Sequence, residues 1–371
     1  MMRRRLRWTI VVAGVLLAAG NAAAQAERKT RNVVLIVADG LRWQEVFNGA
    51  EPALMDKKHG GVGDVAALRK AFWREAPAER RQALLPFLWN VVAQQGQIFG
   101  NQAKGSVARV TNGLKFSYPG YNEMLAGHAD PRVNSNDPKP NPNTTVFEWL
   151  NRLPEFRGRV AAFATWQVFD AIFNPERSGV LVYSGWVPSA AAEPTSRQAL
   201  LNELYRTTTR LWNDNVFDSL MHAAVKEYLQ AHRPRVLFVG YGESDEWAHD
   251  GRYDLYLRSA LQFDHFVADL WNTLQALPEY SDQTTFLITT DHGRGRSLKK
   301  WKDHGRKVAG AEDIWIAVIG PDTPALGERA QAAPVTQSQI AATVAALLGH
   351  NYRSAVPAAA PPIAEVIVRL R

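Results

Sequence analysis

Aspartate and histidine residues occur in this 371-residue chain at spacings that suit metal binding. Asp245 and His249 lie four positions apart in GESDEWAHDG, so they share one face if that segment is helical. Asp291 and His292 are adjacent in TTDHGRG, and His304 follows twelve residues later in WKDHG. Carboxylate and imidazole groups together are typical ligands of zinc and other first-row divalent ions. These residues therefore predict a metal site.

Short apolar runs lead into most of these polar groups. Because the runs are continuously apolar, they predict parallel strands that are covered on both faces. Asp39 ends the first run, and Asp291 and His292 end the fourth, where buried charges need partners. The carboxyl ends of neighbouring parallel strands meet at one edge of a sheet, so we expect these side chains to converge. The five runs are NVVLIVADG (32–40), RVAAFATW (159–166), RVLFVGYGESD (235–245), TTFLITTDHG (284–293) and DIWIAVIGP (313–321).

Helical patterns separate the predicted strands. The segment DLYLRSALQFDHFVADLWNTLQAL places several apolar residues near one face, and a second helical pattern is TQSQIAATVAALLG. Alternation of strands and helices predicts an α/β fold, with three α/β/α layers around a mostly parallel central sheet. The number of candidate ligands favours two divalent ions about 3.5–4 Å apart, an arrangement that stabilises the entering and leaving oxygens of a displacement at phosphorus.

The order of the motifs resembles the alkaline phosphatase superfamily, in particular its type I phosphodiesterase and nucleotide pyrophosphatase branch. The motifs are VADGLR, FSYPGYNEMLAG, GESDEWAHDG, TTDHGRG and the later His304. The resemblance extends from residue 33 to about residue 348, which is nearly the whole chain after the predicted signal peptide. The resemblance implies that Asp39, Asp291 and His292 hold one ion together with the nucleophile. It implies that Asp245, His249 and His304 hold the other ion. The predicted cofactors are two divalent ions, zinc in the first instance.

The family nucleophile is a hydroxyl residue before an aromatic-Pro pair, followed about ten positions later by Gly. Ser117 fits this pattern, since it precedes Tyr118 and Pro119 and Gly127 lies ten positions on. Coordination to a divalent ion lowers the pKa of a hydroxyl and orients it for attack. The family more often has Thr at this position and Asn-His after the Pro, where this chain has Gly-Tyr. Thr111 in ARVTNGLKF is therefore the alternative nucleophile.

Two further residues are predicted to contact the substrate. The resemblance implies an Asn that contacts a phosphoryl oxygen, which is Asn122, at helical spacing after the nucleophile, or alternatively Asn112. Arg294, or a neighbouring lysine, lies in a basic run between predicted ligands. Among the aromatic residues, Trp166, Trp186 and Tyr183 are candidates for stacking on an organic leaving group or for packing. The remaining histidines are interpreted as surface or core residues; they are His59, His128, His222, His232, His265 and His350.

The first 26 residues have the composition of a secretory signal peptide. Four arginines precede an uncharged stretch from Thr9 to Gly20, which is too short for the ~20 residues of a spanning helix. Removal of these four charges lowers the net charge from +7 to +3, which does not support a nucleic-acid-binding protein. The chain has no cysteine, so no disulfide stabilises it. We expect a periplasmic or secreted protein without a membrane anchor after cleavage.

Residues 27–371 are predicted to form a single alkaline phosphatase-like catalytic domain, with a loop-rich insertion at about 167–233 near the active site. The predicted function is metal-dependent hydrolysis of phosphodiesters or phosphomonoesters through a covalent phosphoseryl intermediate. The substrate is predicted to be a small molecule. Three alternatives remain: a sulfatase, a phosphotransferase or mutase of the same superfamily, and a non-catalytic exported binding protein. The sequence leaves open the ester preference and the oligomeric state.

Overall fold

The computed structural model describes residues 28–187 and 193–368. Residues 28–368 form one compact unit. The predicted signal peptide lies outside the described residues. Among the helices within the described ranges, none is both long enough and apolar enough to cross a membrane.

The described residues form ten strands. They are β1 (Asn32–Ala38), β2 (Gln97–Phe99), β3 (Ala108–Arg109), β4 (Val160–Ala164), β5 (Leu181–Ser184), β6 (Val236–Tyr241), β7 (Thr284–Thr289), β8 (Ile316–Ile319), β9 (Gly327–Glu328) and β10 (Val335–Thr336). Eight of them build one sheet in the order β5-β4-β6-β1-β7-β8-β2-β9, and β10 pairs with β3 separately. The five predicted strands are β4, β6, β1, β7 and β8, which are consecutive in that order.

The strands β5, β4, β6, β1 and β7 are parallel to one another, as expected for a mostly parallel sheet. The expectation for β8 was wrong, because it runs antiparallel to β7 with Ile288 opposite Ala317. A continuous apolar run indicates that both faces of a strand are covered, and it carries no information about strand direction. The α/β class is confirmed.

The described residues form thirteen α-helices. They are α1 (Trp43–Asn48), α2 (Val65–Phe72), α3 (Pro77–Leu84), α4 (Ala93–Gln95), α5 (Ser117–Ala126), α6 (Val146–Arg152), α7 (Phe169–Phe173), α8 (Pro175–Ser178), α9 (Ser196–Thr207), α10 (Asp218–His232), α11 (Glu243–His249), α12 (Tyr253–Gln275) and α13 (Ile340–Leu347). A π-helical turn precedes α4 at Leu88–Val92. Short 3-10 segments lie at Pro52–Leu54, Gln102–Lys104, Gln337–Gln339, Tyr352–Ser354 and Ala364–Val366.

Alternate residues of each central strand face opposite sides of the sheet, so the fold has two apolar cores. In β1, Val34 and Ile36 belong to the core that α10 and α12 cover, whereas Val33 and Leu35 belong to the core that α5, α6 and α13 cover. All seven residues of β1 are buried. The sheet thus lies between two helical layers, and the edge at the strand ends is left available for polar side chains.

Residues 167–233, predicted as a loop-rich insertion, contain α7 to α10 and the edge strand β5. The Ala/Pro-rich tail packs on the domain as far as the described residues extend. Ala359, Ile363 and Val366 are buried in the core that α5, α6 and α13 cover.

Candidate metal centre

The polar residues predicted from the sequence converge at the carboxyl edge of the three central strands. Asp39 follows β1 directly, and Asp291 and His292 follow β7. Asp245 and His249 lie on α11, which begins two residues after β6. Because β6, β1 and β7 are adjacent and parallel, their ends deliver these side chains to one place.

Asp39, Asp291 and His292 form the first group of potential ligands, with one ligand atom of each within 4.8 Å of the others. The Nε2 atom of His292 lies 3.4 Å from Asp39 Oδ1 and 3.5 Å from Asp291 Oδ2. All three residues are buried.

Two carboxylate oxygens of this group are left without a hydrogen-bond partner in the described part of the chain. Asp39 Oδ1 and Asp291 Oδ2 are buried and have no hydrogen-bond partner among the described residues. The Nδ1 atom of His292 lies 3.0 Å from the Gly293 carbonyl oxygen, which favours protonation of Nδ1 and leaves the Nε2 lone pair facing both carboxylates. The donor set of two oxygens and one nitrogen thus fits a divalent ion.

Asp245, His292 and His304 form a second group with the same mutual spacing. The sequence predicted His249 in place of His292 here. His249 nevertheless borders this group, since its Nε2 lies 2.9 Å from His304 Nε2 and 3.2 Å from Asp245 Oδ2. His292 belongs to both groups, and its ring stacks on that of His304 at 4.0 Å between centroids. The two groups are therefore contiguous.

Ser117, the predicted nucleophile, is the first residue of α5 and lies beside the first group. Its Oγ is 3.5 Å from His292 Nε2. The alternative, Thr111, points elsewhere, since its hydroxyl donates to Glu123 Oε1 at 2.7 Å. In the first turn of α5, the N–H of Tyr118 donates to Asn136 Oδ1, the N–H of Gly120 donates to the Phe116 carbonyl oxygen, and Pro119 has no N–H. The hydroxyl of Ser117 lines the cavity and is the side-chain group of this helix next to His292.

Sequence reasoning missed three residues that fix the ligands in place. The Tyr121 hydroxyl donates to Asp39 Oδ2 at 3.0 Å. Ser244 donates to the backbone oxygen of Asp39 at 2.6 Å, and Gln337 Nε2 donates to the backbone oxygen of Asp291 at 2.7 Å. Ser244 lies next to a predicted ligand, which is a usable signal, whereas Gln337 has no local signal in the sequence.

The start of α11 is held by a reciprocal pair of acidic residues. Asp218 Oδ1 accepts from the N–H groups of Gly242 and Glu243, and the Asp218 N–H donates to Glu243 Oε1 at 2.9 Å. Burial raises the pKa of Asp218 well above its ordinary value, and the adjacent Glu243 carboxylate raises it further. These bonds fix the orientation of the helix that carries Asp245 and His249.

The electrostatics of the cluster favour the neutral form of His249 and His304 and the protonated form of His292 and Asp291. Burial, and next the neighbouring His292, lower the pKa of His249 and lower that of His304 well below its usual value. Burial lowers the pKa of His292, but Asp291 and Asp39 outweigh it and raise that pKa to about 9. Burial and Asp39 raise the pKa of Asp291. A bound cation would relieve the repulsion between these carboxylates.

The two predicted substrate contacts lie away from the cavity. Arg294 is fully buried and donates to Asp245, to the Gly40 carbonyl at 3.1 Å and to the Lys302 carbonyl at 2.6 Å. Its guanidinium therefore orients Asp245 and does not face a bound molecule in the cavity. Burial lowers the pKa of Arg294 to about 9. Asn122 is also buried, and it accepts from Asn143 at 2.9 Å. Each side chain is bonded within the protein and neither lines the cavity in this structure, so their contact with a substrate stays a prediction.

A cavity of about 900 Å³ opens on the cluster. Ser117, Asp39, Asp245, His249 and His304 line its inner part. Segments between residues 166 and 176 and at 214–215 line other parts, so the predicted insertion contributes to the cavity. A volume of this size accommodates a small organic ligand.

Comparison with known proteins agrees with this architecture. Residues 203–352 match the Metalloenzyme superfamily. The solved structure of alkaline phosphatase PafA superposes with a TM-score of 0.57 at 12% identity, covering 92% of this chain and 99% of that chain. The lipoteichoic acid synthase LtaP from Listeria monocytogenes has a TM-score of 0.51 at 12% identity, covering 88% of this chain and 74% of that chain.

A sulfatase also shares the fold. The 2-O GAG sulfatase BT1596 has a TM-score of 0.51 at 13% identity, covering 92% of this chain and 75% of that chain. No curated protein sequence matches the chain. At these identities the structural likeness establishes the fold, which phosphatases and sulfatases share.

Proposed function

From its alkaline phosphatase-like metalloenzyme fold, we propose that the chain is a hydrolase of phosphoric esters with Ser117 as nucleophile and two divalent ions, zinc in the first instance, as cofactors. The observation that carries this proposal is the convergence of Asp39 Oδ1, Asp291 Oδ2 and His292 Nε2 beside the Ser117 hydroxyl. Ser117, Asp245, His249 and His304 line the same cavity.

The first ion is assigned to Asp39, Asp291, His292 and Ser117, and the second to Asp245, His249 and His304. When bound, divalent ions lower the pKa of a coordinated hydroxyl and offset negative charge on phosphoryl oxygens. The Ser117 oxygen then bonds to phosphorus as the bond from phosphorus to the leaving alcohol breaks, which gives a phosphoseryl group. Water cleaves that group, releasing phosphate or a monoester and restoring Ser117.

Position 121 supports phosphate over sulfate esters. A sulfatase needs a C/S-x-P/A-x-R motif for conversion of its Cys or Ser to formylglycine, and in the segment from Ser117 to Tyr121 a tyrosine stands where the motif has Arg. Tyr121 is buried and donates to Asp39. Burial, and next the carboxylates of Asp291 and Asp39, raise its pKa well above the ordinary value, so it remains a donor.

The experiment combines metal analysis with rates on p-nitrophenyl monoester and diester substrates, for the wild type and for Ser117→Ala. We expect the variant to lose about 10³-fold or more of kcat, because alanine has no oxygen to attack phosphorus and the Tyr121 hydroxyl already donates to Asp39. Thr111→Val is the matched control, and it should retain activity while losing about 1–2 kcal/mol of stability through its lost bond to Glu123. Full activity of Ser117→Ala would refute the assignment.

Export to the periplasm belongs to the same proposal and rests on the sequence of residues 1–26. Cell fractionation tests it, with a truncation that removes these residues as the control. We expect the full-length chain to accumulate outside the cytoplasm and the truncated chain to remain inside.

A further inference from the structure

The cavity contains more negative charge than metal binding explains. Besides Asp39 and Asp245, four carboxylates line it, and we call them the outer carboxylates: Asp170, Glu176, Asp214 and Glu246. Every lining residue belongs to the described part of the chain, and within that part the lining contains no lysine or arginine. Arg294, two residues after His292, is bonded to Asp245 and does not line the cavity.

Two of the outer carboxylates, Asp214 and Glu246, are linked to the metal centre through one chain of contacts. Trp166 lines the cavity and its Nε1 donates to Asp214 Oδ2 at 3.0 Å. Trp166 also pairs with Asn215 through a backbone bridge, and Asn215 donates to Glu246 Oε1 at 3.0 Å. Glu246 is the residue after Asp245 on α11. An aromatic ring and acceptor groups thus lie next to the proposed reaction site.

The lining of this part of the cavity is acidic, because it contains the four outer carboxylates and, among the described residues, no lysine or arginine. In the proposed enzyme, Asp39, Asp245 and Asp291 offset charge on the two ions, whereas the outer carboxylates have no cationic side chain beside them in the lining.

We infer that this cavity selects phosphodiesters with a positively charged organic group, which lies against Trp166 and the outer carboxylates, over esters that carry additional negative charge. The inference rests on the proposed function and names its substrate class. An ammonium group gains Coulomb energy from Asp214, Glu176 and their neighbours, and a cation over an indole ring gains a further contribution. A phosphomonoester carries up to two negative charges near neutral pH, because its second pKa is about 6. No lining Lys or Arg balances the second charge.

The test uses three p-nitrophenyl diesters that differ only in the charge of the second ester group: trimethylammonioethyl, dimethylbutyl and carboxyethyl. We expect kcat/KM to be about tenfold or more higher for the cationic ester than for the anionic one, and the ratio to fall as salt is added. The double variant Glu176→Gln with Asp214→Asn should reduce the ratio by about threefold for each charge removed. Glu176→Lys should reduce it further.

Glu203→Gln is the matched control, since Glu203 is an exposed carboxylate on α9 that does not line the cavity. It should leave the ratio unchanged. Calorimetry supplies a readout that does not need turnover: the metal-loaded protein should bind trimethylammonioethanol more tightly than its neutral isostere 3,3-dimethylbutanol, and the double variant should lose this difference.

The outcomes separate the two proposals. Hydrolysis of all three diesters at equal rates overturns the charge selectivity and leaves the hydrolase intact. If no ester is hydrolysed, the proposed function fails, and equal binding of the two alcohols then overturns the selectivity as well. A preference for the anionic diester contradicts the inference directly.

Discussion

Gly120, on the first turn of α5, packs directly against the backbone oxygen of Asp291. A Cβ atom placed on Gly120 would lie 2.6 Å from that oxygen, which is closer than van der Waals contact allows. Gln337 donates to the same oxygen from another direction, so the strand end has little freedom to move away. This close packing sets the distance between the helix that carries Ser117 and the strand end that carries His292. It explains why glycine follows Pro119 here.

Gly120→Ala should therefore reduce activity although alanine favours helices. We expect α5 to shift outward, with a loss of about 1–3 kcal/mol of stability from overpacking. A displacement of about 1 Å at the nucleophile is enough to lower kcat by about 10²-fold. Rates and thermal unfolding measured together check this. Gly63→Ala is the control, because its backbone is not left-handed and a Cβ there meets no atom closer than 3.5 Å. Unchanged kcat in Gly120→Ala would contradict this explanation.

Tyr121→Phe should weaken metal binding, because it removes the hydroxyl that donates to Asp39 Oδ2. Loss of such a supporting bond typically lowers metal affinity by about 10–100-fold. Competition with a chromophoric chelator measures the affinity. Tyr118→Phe, in the same helix, is the control: its hydroxyl donates to the Lys139 and Ala171 carbonyls, so its loss should affect stability and not metal affinity.

Metal stoichiometry should separate the two proposed sites. Asp291→Ala removes a ligand of the first group alone, and His304→Ala removes a ligand of the second group alone. We expect each variant to lose one equivalent of metal, measured by elemental analysis after gel filtration. His292→Ala should affect both equivalents, since its Nε2 belongs to both groups. The exposed His265→Ala is the control, and unchanged stoichiometry in His304→Ala would remove that residue from the site.

Asp264 should make stability depend on pH. Its carboxylate is buried and accepts the N–H groups of Phe87 and Leu88, and burial raises its pKa to about 7. A raised folded-state pKa means that the folded state retains the proton that the unfolded chain loses near pH 4. The contribution of Asp264 to stability is therefore greatest below about pH 4, falls as the pH rises to about 7 and is constant above that.

Urea unfolding of the wild type and Asp264→Asn between pH 4 and pH 8 checks this. The difference in free energy of unfolding, wild type minus variant, should fall by about 2–4 kcal/mol over this range. Asp137→Asn is the control, because Asp137 is exposed and the bond from Lys139 lowers its pKa. A difference that stays constant with pH for Asp264→Asn would show that its carboxylate is already ionised at low pH in the folded protein.

Much of the sheet could be predicted because its signals are local. The composition of the apolar runs in β1, β4, β6, β7 and β8 is enough to predict that they are buried. In the sheet, each of these five strands is central or lies next to a central strand. The shorter strands at the other positions carry too few residues to show a pattern; β9, for example, has only two. The antiparallel direction of β8 depends on how its connection crosses the sheet, which no run of apolar residues specifies.

The site shows the same division. The sequence by itself determined that acidic residues and histidines end neighbouring strands and that Ser117 begins a helix, because helix starts and strand ends are set by nearby residues. Only the tertiary structure decided that Ser117 and not Thr111 adjoins His292, 175 positions away, and that His292 lies between both ligand groups. It likewise decided that Arg294 and Asn122 turn inward and that carboxylates line the cavity, because side-chain direction depends on packing between segments that are distant along the chain.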